Sequence, residues 1–256
     1  MAMTANLGAA LVTGGAKRLG RAMALGLARH GYDVAVHFRG SEAEAREVAE
    51  EVSKKGRRSA TVAADLSREE ETARLVGGAR KLLGPLTLLV NSASVFEQDD
   101  IETMTRASWD AHIETNLRAP LKLTQDFAAQ ADPARDNLIV NILDQRVLKP
   151  TPQFLSYTAS KAALFALTTT LAQALGPKNV RVNAIGPGPT LRNPRQSDAD
   201  WRRQNEATIL GRGAEPDDIV GALLYLAGAR AVTGQMIAVD GGQHLIWKTG
   251  DVLVKE

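Results

Sequence analysis

Short β-branched or apolar runs alternate with longer amphipathic stretches along the whole chain. Runs of the first kind cover residues 9–13, 32–38, 58–64, 86–90, 138–143, 180–185 and 235–239, and read as seven strands. Helical periodicity fills the intervals at 17–29, 42–55, 68–83, 108–131, 156–175 and 216–227. Gly31, the Gly84-Pro85 pair and the Gly176-Pro177 pair supply stops. The run 86–90 is too apolar for anything but a strand buried on both faces. Strict alternation of this kind predicts right-handed βαβ units, and so a doubly wound α/β fold with helices on both faces of a seven-stranded parallel sheet. No linker or repeat divides residues 1–256, which are expected to form one domain. One polar stretch interrupts the pattern after Gly186-Pro187-Gly188-Pro189, and residues 188–205 are expected to be a substrate lid or a surface excursion. The helix 156–175 is apolar almost all round, which calls for burial on a second side, against a partner subunit or within the same chain.

Composition narrows the function classes. With 31 basic and 29 acidic residues the chain has no excess charge for a nucleic acid, and its densest basic run, at 54–58, complements a helix C-terminus. The chain has no cysteine, which excludes disulfides, thiolate metal sites and cysteine nucleophiles. Its four histidines show no ligand spacing, so no metal is expected. No stretch reaches the length of a membrane span, and Met1 to Gly8 lacks the pattern of a signal peptide. A cytoplasmic protein is the expectation.

The first strand runs into Thr13-Gly14-Gly15-Ala16-Lys17-Arg18-Leu19-Gly20 and then a helix. Glycines there let the backbone approach a pyrophosphate, which the exposed N–H groups of the helix start can hold. Arg18 occupies the position of the middle glycine of the usual pattern. The second strand ends in His37-Phe38-Arg39-Gly40-Ser41, without the carboxylate that would grip the ribose hydroxyls of NAD. Arg39, Ser41, His37, and Arg18 or Lys17 across the turn could contact a 2′-phosphate, which favours NADP(H).

Tyr157 and Lys161 stand four apart on a predicted helix and share a face. An ammonium beside the phenol oxygen would lower the phenol pKa from about 10 and make it a usable acid. Asp144, thirteen residues earlier, is unexpected beside such a pair, because an ionised carboxylate works against that lowering.

Taken in order, these motifs resemble the short-chain dehydrogenase/reductase family over nearly the whole chain. The markers are the Thr13–Gly20 turn, Asp65-Leu66, Asn91-Ser92-Ala93-Ser94, Asn116, Tyr157/Lys161, Gly186-Pro187-Gly188 and Val239-Asp240-Gly241-Gly242. The resemblance implies a Rossmann-type domain, NADP(H) as cofactor and a homotetramer. It implies that Gly14, Leu19, Gly20, Phe38, Leu66, Asn91, Ala93, Ser94, Pro187 and Gly188 line the cofactor, and that Asp65 holds its adenine. Lys161 would also bond the nicotinamide ribose, and Asn116 would hold a water of the proton relay.

Asp144 replaces the family's usual Ser or Thr, and with Arg18, the His37–Ser41 stretch and Phe96 it resembles the pteridine reductase branch, including dihydromonapterin reductases. That branch implies an Asp144-Tyr157-Lys161 triad reducing a ring C=N bond of a small pterin. Arg18, Ser94, Phe96, Asp144 and Tyr157 would contact the substrate, with Phe96 stacking on the pterin. A buried carboxylic acid suits this chemistry, since hydride addition to an imine carbon leaves a nitrogen that needs a proton. Three alternatives stand beside it. Asp144 could orient Tyr157 in a ketone or oxoacyl thioester reductase, Phe96 could be loop packing, and the chain could be a non-catalytic NADP sensor.

Overall fold

The computed structural model of the chain describes residues 7–249, so the expectation about Met1 to Gly8 falls almost entirely outside the described residues. Seven strands pair in parallel in the order β3-β2-β1-β4-β5-β6-β7. They are β1 (Ala9–Val12), β2 (Asp33–Phe38), β3 (Ser59–Ala63), β4 (Leu86–Asn91), β5 (Asn137–Ile142), β6 (Val180–Pro187) and β7 (Met236–Val239). Every residue of β1, β2, β4, β5 and β6 is buried, whereas the edge strands β3 and β7 are mostly half-buried. That is why the inner strands read as continuous apolar runs rather than as alternating ones.

Two apolar layers hold the sheet. On one face α1 (Arg18–His30), α2 (Glu42–Lys54) and α8 (Pro216–Gly228) bury Met23, Leu27, Val48, Val52, Ile219 and Leu223. On the other, α3 (Glu69–Leu83), α5 (Ala119–Gln130) and α6 (Leu155–Leu175) bury Leu75, Val76, Leu123, Phe127 and Ala172. The helix expected at 108–131 is α4 (Arg106–Ile113), a π turn (Glu114–Arg118) and α5 in succession. The π turn contains Asn116, and such wide turns gather at functional positions.

The order in which strands are added reverses about β1, whose neighbours are β2 and β4. In open α/β sheets ligands bind outside the carboxyl ends of the strands at such a reversal. Thr13, just past β1, bridges it. Its hydroxyl accepts from Ser92 N at 2.8 Å and Ala93 N at 3.0 Å, beyond the end of β4.

Within 188–205 the sequence reading missed a helix, α7 (Asp198–Glu206). It has no buried residue, so it carries no apolar periodicity to read. Ser197 caps it by accepting from Asp200 N at 3.1 Å, and that Ser with Asp198 and Asp200 is the one local signal available. In α6 one stripe is buried, through Tyr157, Lys161, Leu164, Thr168 and Ala172, while Ala162 and Ala166 are exposed. No helix of the described residues is long and apolar enough to cross a membrane, and no described cluster of His, Asp or Glu could hold a metal ion.

Candidate active site

The ends of β1, β2, β4, β5 and β6, the first turn of α6 and the 188–205 segment surround one cavity of about 740 Å³. Its walls include Gly14, Lys17, Arg18, Arg39, Asp65, Ala93, Phe96, Asp144, Tyr157, Lys161, Pro187 and Gly188. Leu19, Gly20, His37, Leu66 and Ser94 border it as well.

At its core, Tyr157 Oη donates to Asp144 Oδ2 at 3.0 Å. Asp144 Oδ1 accepts from Arg146 N at 2.8 Å. Burial raises the Asp144 carboxyl above the usual carboxylate range, against the opposing pull of Arg146, Tyr157 and Lys161. Lys161 Nζ donates to the Ile142 carbonyl at 2.8 Å and lies 5.7 Å from the centre of the Tyr157 ring. Burial lowers the Lys161 pKa to about 8. The phenol differs from expectation. Burial first, and then the adjoining Asp144, raise Tyr157 well above its ordinary value. The lysine head is engaged by a carbonyl while Asp144 accepts the phenol hydrogen bond, so burial and the nearer charge act in the same direction.

Asn116 holds the Val95 backbone from both sides. Its Nδ2 donates to Val95 O at 2.9 Å and Ser160 Oγ at 3.2 Å, and its Oδ1 accepts from Val95 N at 2.8 Å and Ser94 Oγ at 3.1 Å. All four positions of the amide are used. A relay water on this residue would therefore need its main-chain carbonyl.

Phe96 stacks on Phe154, with ring centres 4.5 Å apart and planes within 6°, and meets the Tyr157 ring edge-on at 4.7 Å. Phe154 thus covers a face expected to be open. The Arg146 guanidinium lies 5.1 Å from the Phe154 ring centre and that of Arg195 5.9 Å from Phe96. Arg195 also donates to Phe96 O at 2.6 Å and to the Glu97 carboxylate. None of Phe154, Arg146 or Arg195 was found from the sequence. Phe154 precedes α6 in a left-handed conformation, so no helical spacing from Tyr157 flags it.

At the nucleotide end the cradle is tight. A Cβ at Gly20 would sit 2.1 Å from Gly14 O, and Gly14, at φ +63°, lies against Ala93. Arg18 adopts φ 50°, the left-handed conformation a glycine would supply, at a cost of about 1 kcal/mol or more. Its guanidinium turns away from the turn and donates to Leu191 O at 2.8 Å and Arg192 O at 3.1 Å, clipping the 188–205 segment. His37 is not free for a phosphate. Its buried ring accepts from Gly14 N at 3.0 Å through Nδ1 and bonds Ala64 O at 3.0 Å through Nε2. Burial lowers its pKa, so the neutral ring braces the turn from beneath. The cations on the outside are Arg39, loosely paired with Asp65 at 4.0 Å, and Lys17, paired with Glu44 at 2.8 Å. Ser41 begins α2 without using its hydroxyl as a cap. Phe38 packs into the core, and Asp65 Oδ1 accepts from Ser67 N at 2.9 Å. Asn91 donates to Asn141 at 2.9 Å, and its amide oxygen is buried without a protein partner. This cradle, with cations at the rim, fits a phosphorylated dinucleotide.

A doubly wound sheet with a glycine turn at its reversal and a Tyr-x-x-x-Lys pair over its carboxyl ends defines a class. The chain belongs to the short chain dehydrogenase family, whose model matches residues 8–203. It is 45% identical to FolM alternative dihydrofolate reductase 1 from Brucella suis, solved in complex with NADP, with a TM-score of 0.91 over 95% of this chain and 97% of that one. The Brucella canis protein of the same name, also complexed with NADP, is 43% identical with a TM-score of 0.91 over 98% and 100% of the two chains. The 3-oxoacyl-[acyl-carrier-protein] reductase FabG of Staphylococcus epidermidis is 32% identical over 92% of this chain and 98% of its own length.

Proposed function

We propose that the chain is an NADPH-dependent reductase that converts a dihydropterin to its tetrahydro form. The observation that carries this reading is the buried Asp144 carboxyl bonded to the Tyr157 hydroxyl at 3.0 Å. The similarity to the two Brucella enzymes supports both the cofactor and the substrate class. NADPH, when bound, supplies the hydride that the imine carbon of the ring receives.

The residues around it do the rest. Backbone N–H groups of the turn past Gly15, whose own N–H and that of Gly14 are held by His37, hold the pyrophosphate, and Arg39, Ser41 and Lys17 hold the 2′-phosphate. Asp65 and Leu66 border the adenine, Asn91, Ala93, Pro187 and Gly188 border the nicotinamide half, and Lys161 holds its ribose. Phe96 and Phe154 form an aromatic wall for a flat ring. Tyr157 donates a proton to the ring nitrogen, and Asp144, whose carboxyl pKa burial raises, returns a proton to it through their hydrogen bond. Residues 188–205 close over the cavity as a lid, with Arg18 and Arg195 as its two clasps. The exposed small face of α6 at Ala162 and Ala166 suits packing against a second copy in a homotetramer, which the mass in solution tests. A reductase consuming NADPH, in a chain without cysteine, suits the cytoplasm.

Asp144→Ser tests the central claim. Serine can still hydrogen-bond Tyr157 but cannot carry a titrating proton. Dihydropterin turnover is expected to fall about 100-fold with NADPH affinity unchanged, and equal turnover in the variant refutes the role of Asp144. A second reading, reduction of a 3-oxoacyl thioester, is favoured by the similarity to the staphylococcal reductase. NADPH oxidation measured side by side on dihydrobiopterin, dihydromonapterin and an oxoacyl thioester decides between them.

A further inference from the structure

Beneath the aromatic wall lies a cluster that the proposed chemistry does not use: the buried Asp99, His112 and Ser156, with the half-buried Ser108. Asp99 is 2% exposed, and His112 and Ser156 are fully buried. Asp99 alone serves three successive N–H groups at the start of α6. Its carbonyl accepts from Phe154 N at 2.7 Å and Leu155 N at 3.3 Å, and its Oδ1 accepts from Ser156 N at 3.1 Å. Those are the orphan donors of a helix N-terminus, where a carboxylate is also favoured by the helix dipole. The helix has no cap of its own, because Phe154 occupies that position at φ 58° and bonds nothing with its side chain. Asp99 Oδ2 further accepts from Ser156 Oγ, and from Ser108 Oγ at 3.1 Å.

His112, on α4, grips the other end of the same loop. Its Nε2 accepts from Glu97 N at 3.1 Å, which fixes a neutral ring with the proton on Nδ1. That Nδ1 lies 2.8 Å from Ser108 O and 2.8 Å from Ser156 Oγ. The ring stands edge-on to Tyr157, with centres 6.1 Å apart. Ser, His and Asp here do not form a hydrolytic triad. The serine gives its proton to the aspartate directly, and the far nitrogen of the histidine is spent on a backbone amide.

We propose that Asp99 and His112 are positioning residues, joining the loop that carries Phe96 to the helix that carries Tyr157 so that the aromatic wall and the proton donor keep one fixed separation. The loop is held at every step: Val95 by Asn116, Glu97 by His112, and Asp99 by the first turn of α6. Phe96, between them, has no freedom to drift from Tyr157. This inference rests on the reading of Tyr157 as proton donor and Phe96 as substrate wall, not on which substrate is reduced.

The test uses full-length Asp99→Ala and His112→Phe, the second of which keeps a ring against Tyr157 but loses both nitrogen contacts. Amide exchange by mass spectrometry, with no substrate present, is expected to rise in peptides covering 95–98 and 154–158 in both variants. With whichever substrate the wild type turns over, kcat is expected to fall about 10- to 100-fold while NADPH affinity holds. Asp99→Asn, which keeps an acceptor for Ser156 N, is expected to recover part of the loss. If Asp99→Ala does not fold, His112→Phe carries the same criteria. Unchanged exchange in both peptides, or a kcat per folded molecule within about threefold of wild type, overturns the proposal. A wild type that reduces oxoacyl thioesters and no pterin sinks the pterin reading and leaves this test intact.

Discussion

Replacing Lys161 by methionine gives the sharpest check on the electrostatics of the site. The lysine is 3% exposed, and burial lowers its pKa from 10.5 to about 8 with Asp144 opposing. That shift corresponds to about 3 kcal/mol by which the folded state disfavours the ammonium. The unfolded chain keeps the proton up to a higher pH than the folded one, so between these two values it binds more protons. Wild-type stability therefore gains from this group as pH rises from about 8 to 10.5, and carries the full penalty below about 8. Methionine has similar length and no charge, so the variant has no such term. It also loses the hydrogen bond to the Ile142 carbonyl, a cost of about 1.5–3 kcal/mol while the lysine is charged. The two terms nearly cancel at neutral pH, and the diagnostic quantity is the difference between the two proteins across the pH range. Urea unfolding of both, from about pH 7 to 10.5, should show the variant losing about 3 kcal/mol relative to wild type. Parallel stability curves would refute the buried-ammonium account. Over the same range, wild-type kcat/KM should fall above about pH 8 as Lys161 loses its proton.

Two further substitutions probe the cofactor rim and the clasps. Arg39→Ala should weaken NADPH binding about tenfold and leave NADH binding unchanged, by fluorescence titration of both; equal losses for the two cofactors would remove Arg39 from the 2′-phosphate site. Arg195→Ala breaks the contacts to Phe96 O and Glu97, so amide exchange in 190–206 should rise and the substrate KM increase with thermal stability retained. Unchanged exchange there would mean that Arg195 is not a clasp.

The sheet was legible because its inner strands are buried on both faces and the helices packed on it are rich in apolar residues, so these elements announce themselves locally. The cradle was legible for a similar reason: Gly14, Gly20 and the missing carboxylate after β2 lie within a single βαβ unit. What escaped was contact between distant segments. Asp99 meets Ser156 across 57 positions, and Arg195 meets Glu97 across 98. No periodicity connects such pairs. His37 was misplaced for a subtler reason. Its position at the end of β2 is correct for a phosphate contact, yet a strand buried on both faces turns that side chain inward, against Gly14 and Ala64. The π turn was likewise invisible, since inserting one residue into a long helix barely disturbs its apolar spacing.

The same distinction explains the phenol. A spacing of four places Lys161 and Tyr157 on one face of α6, but it does not say which atom the ammonium will touch. In the fold its nearest acceptor is a main-chain carbonyl at the end of β5, and the group at the phenol oxygen is Asp144. Burial raises the phenol pKa most, and the carboxylate 3.0 Å from the hydroxyl adds to it. Exchange of the family's usual Ser or Thr for Asp144 is therefore more than an added hydrogen bond. Together with burial, which acts first, the carboxylate raises the Tyr157 pKa, so the phenol holds its proton. On the proposed reading, Tyr157 gives its proton to a substrate nitrogen and Asp144, whose carboxyl pKa burial raises, restores it, which a serine in that place has no means to do.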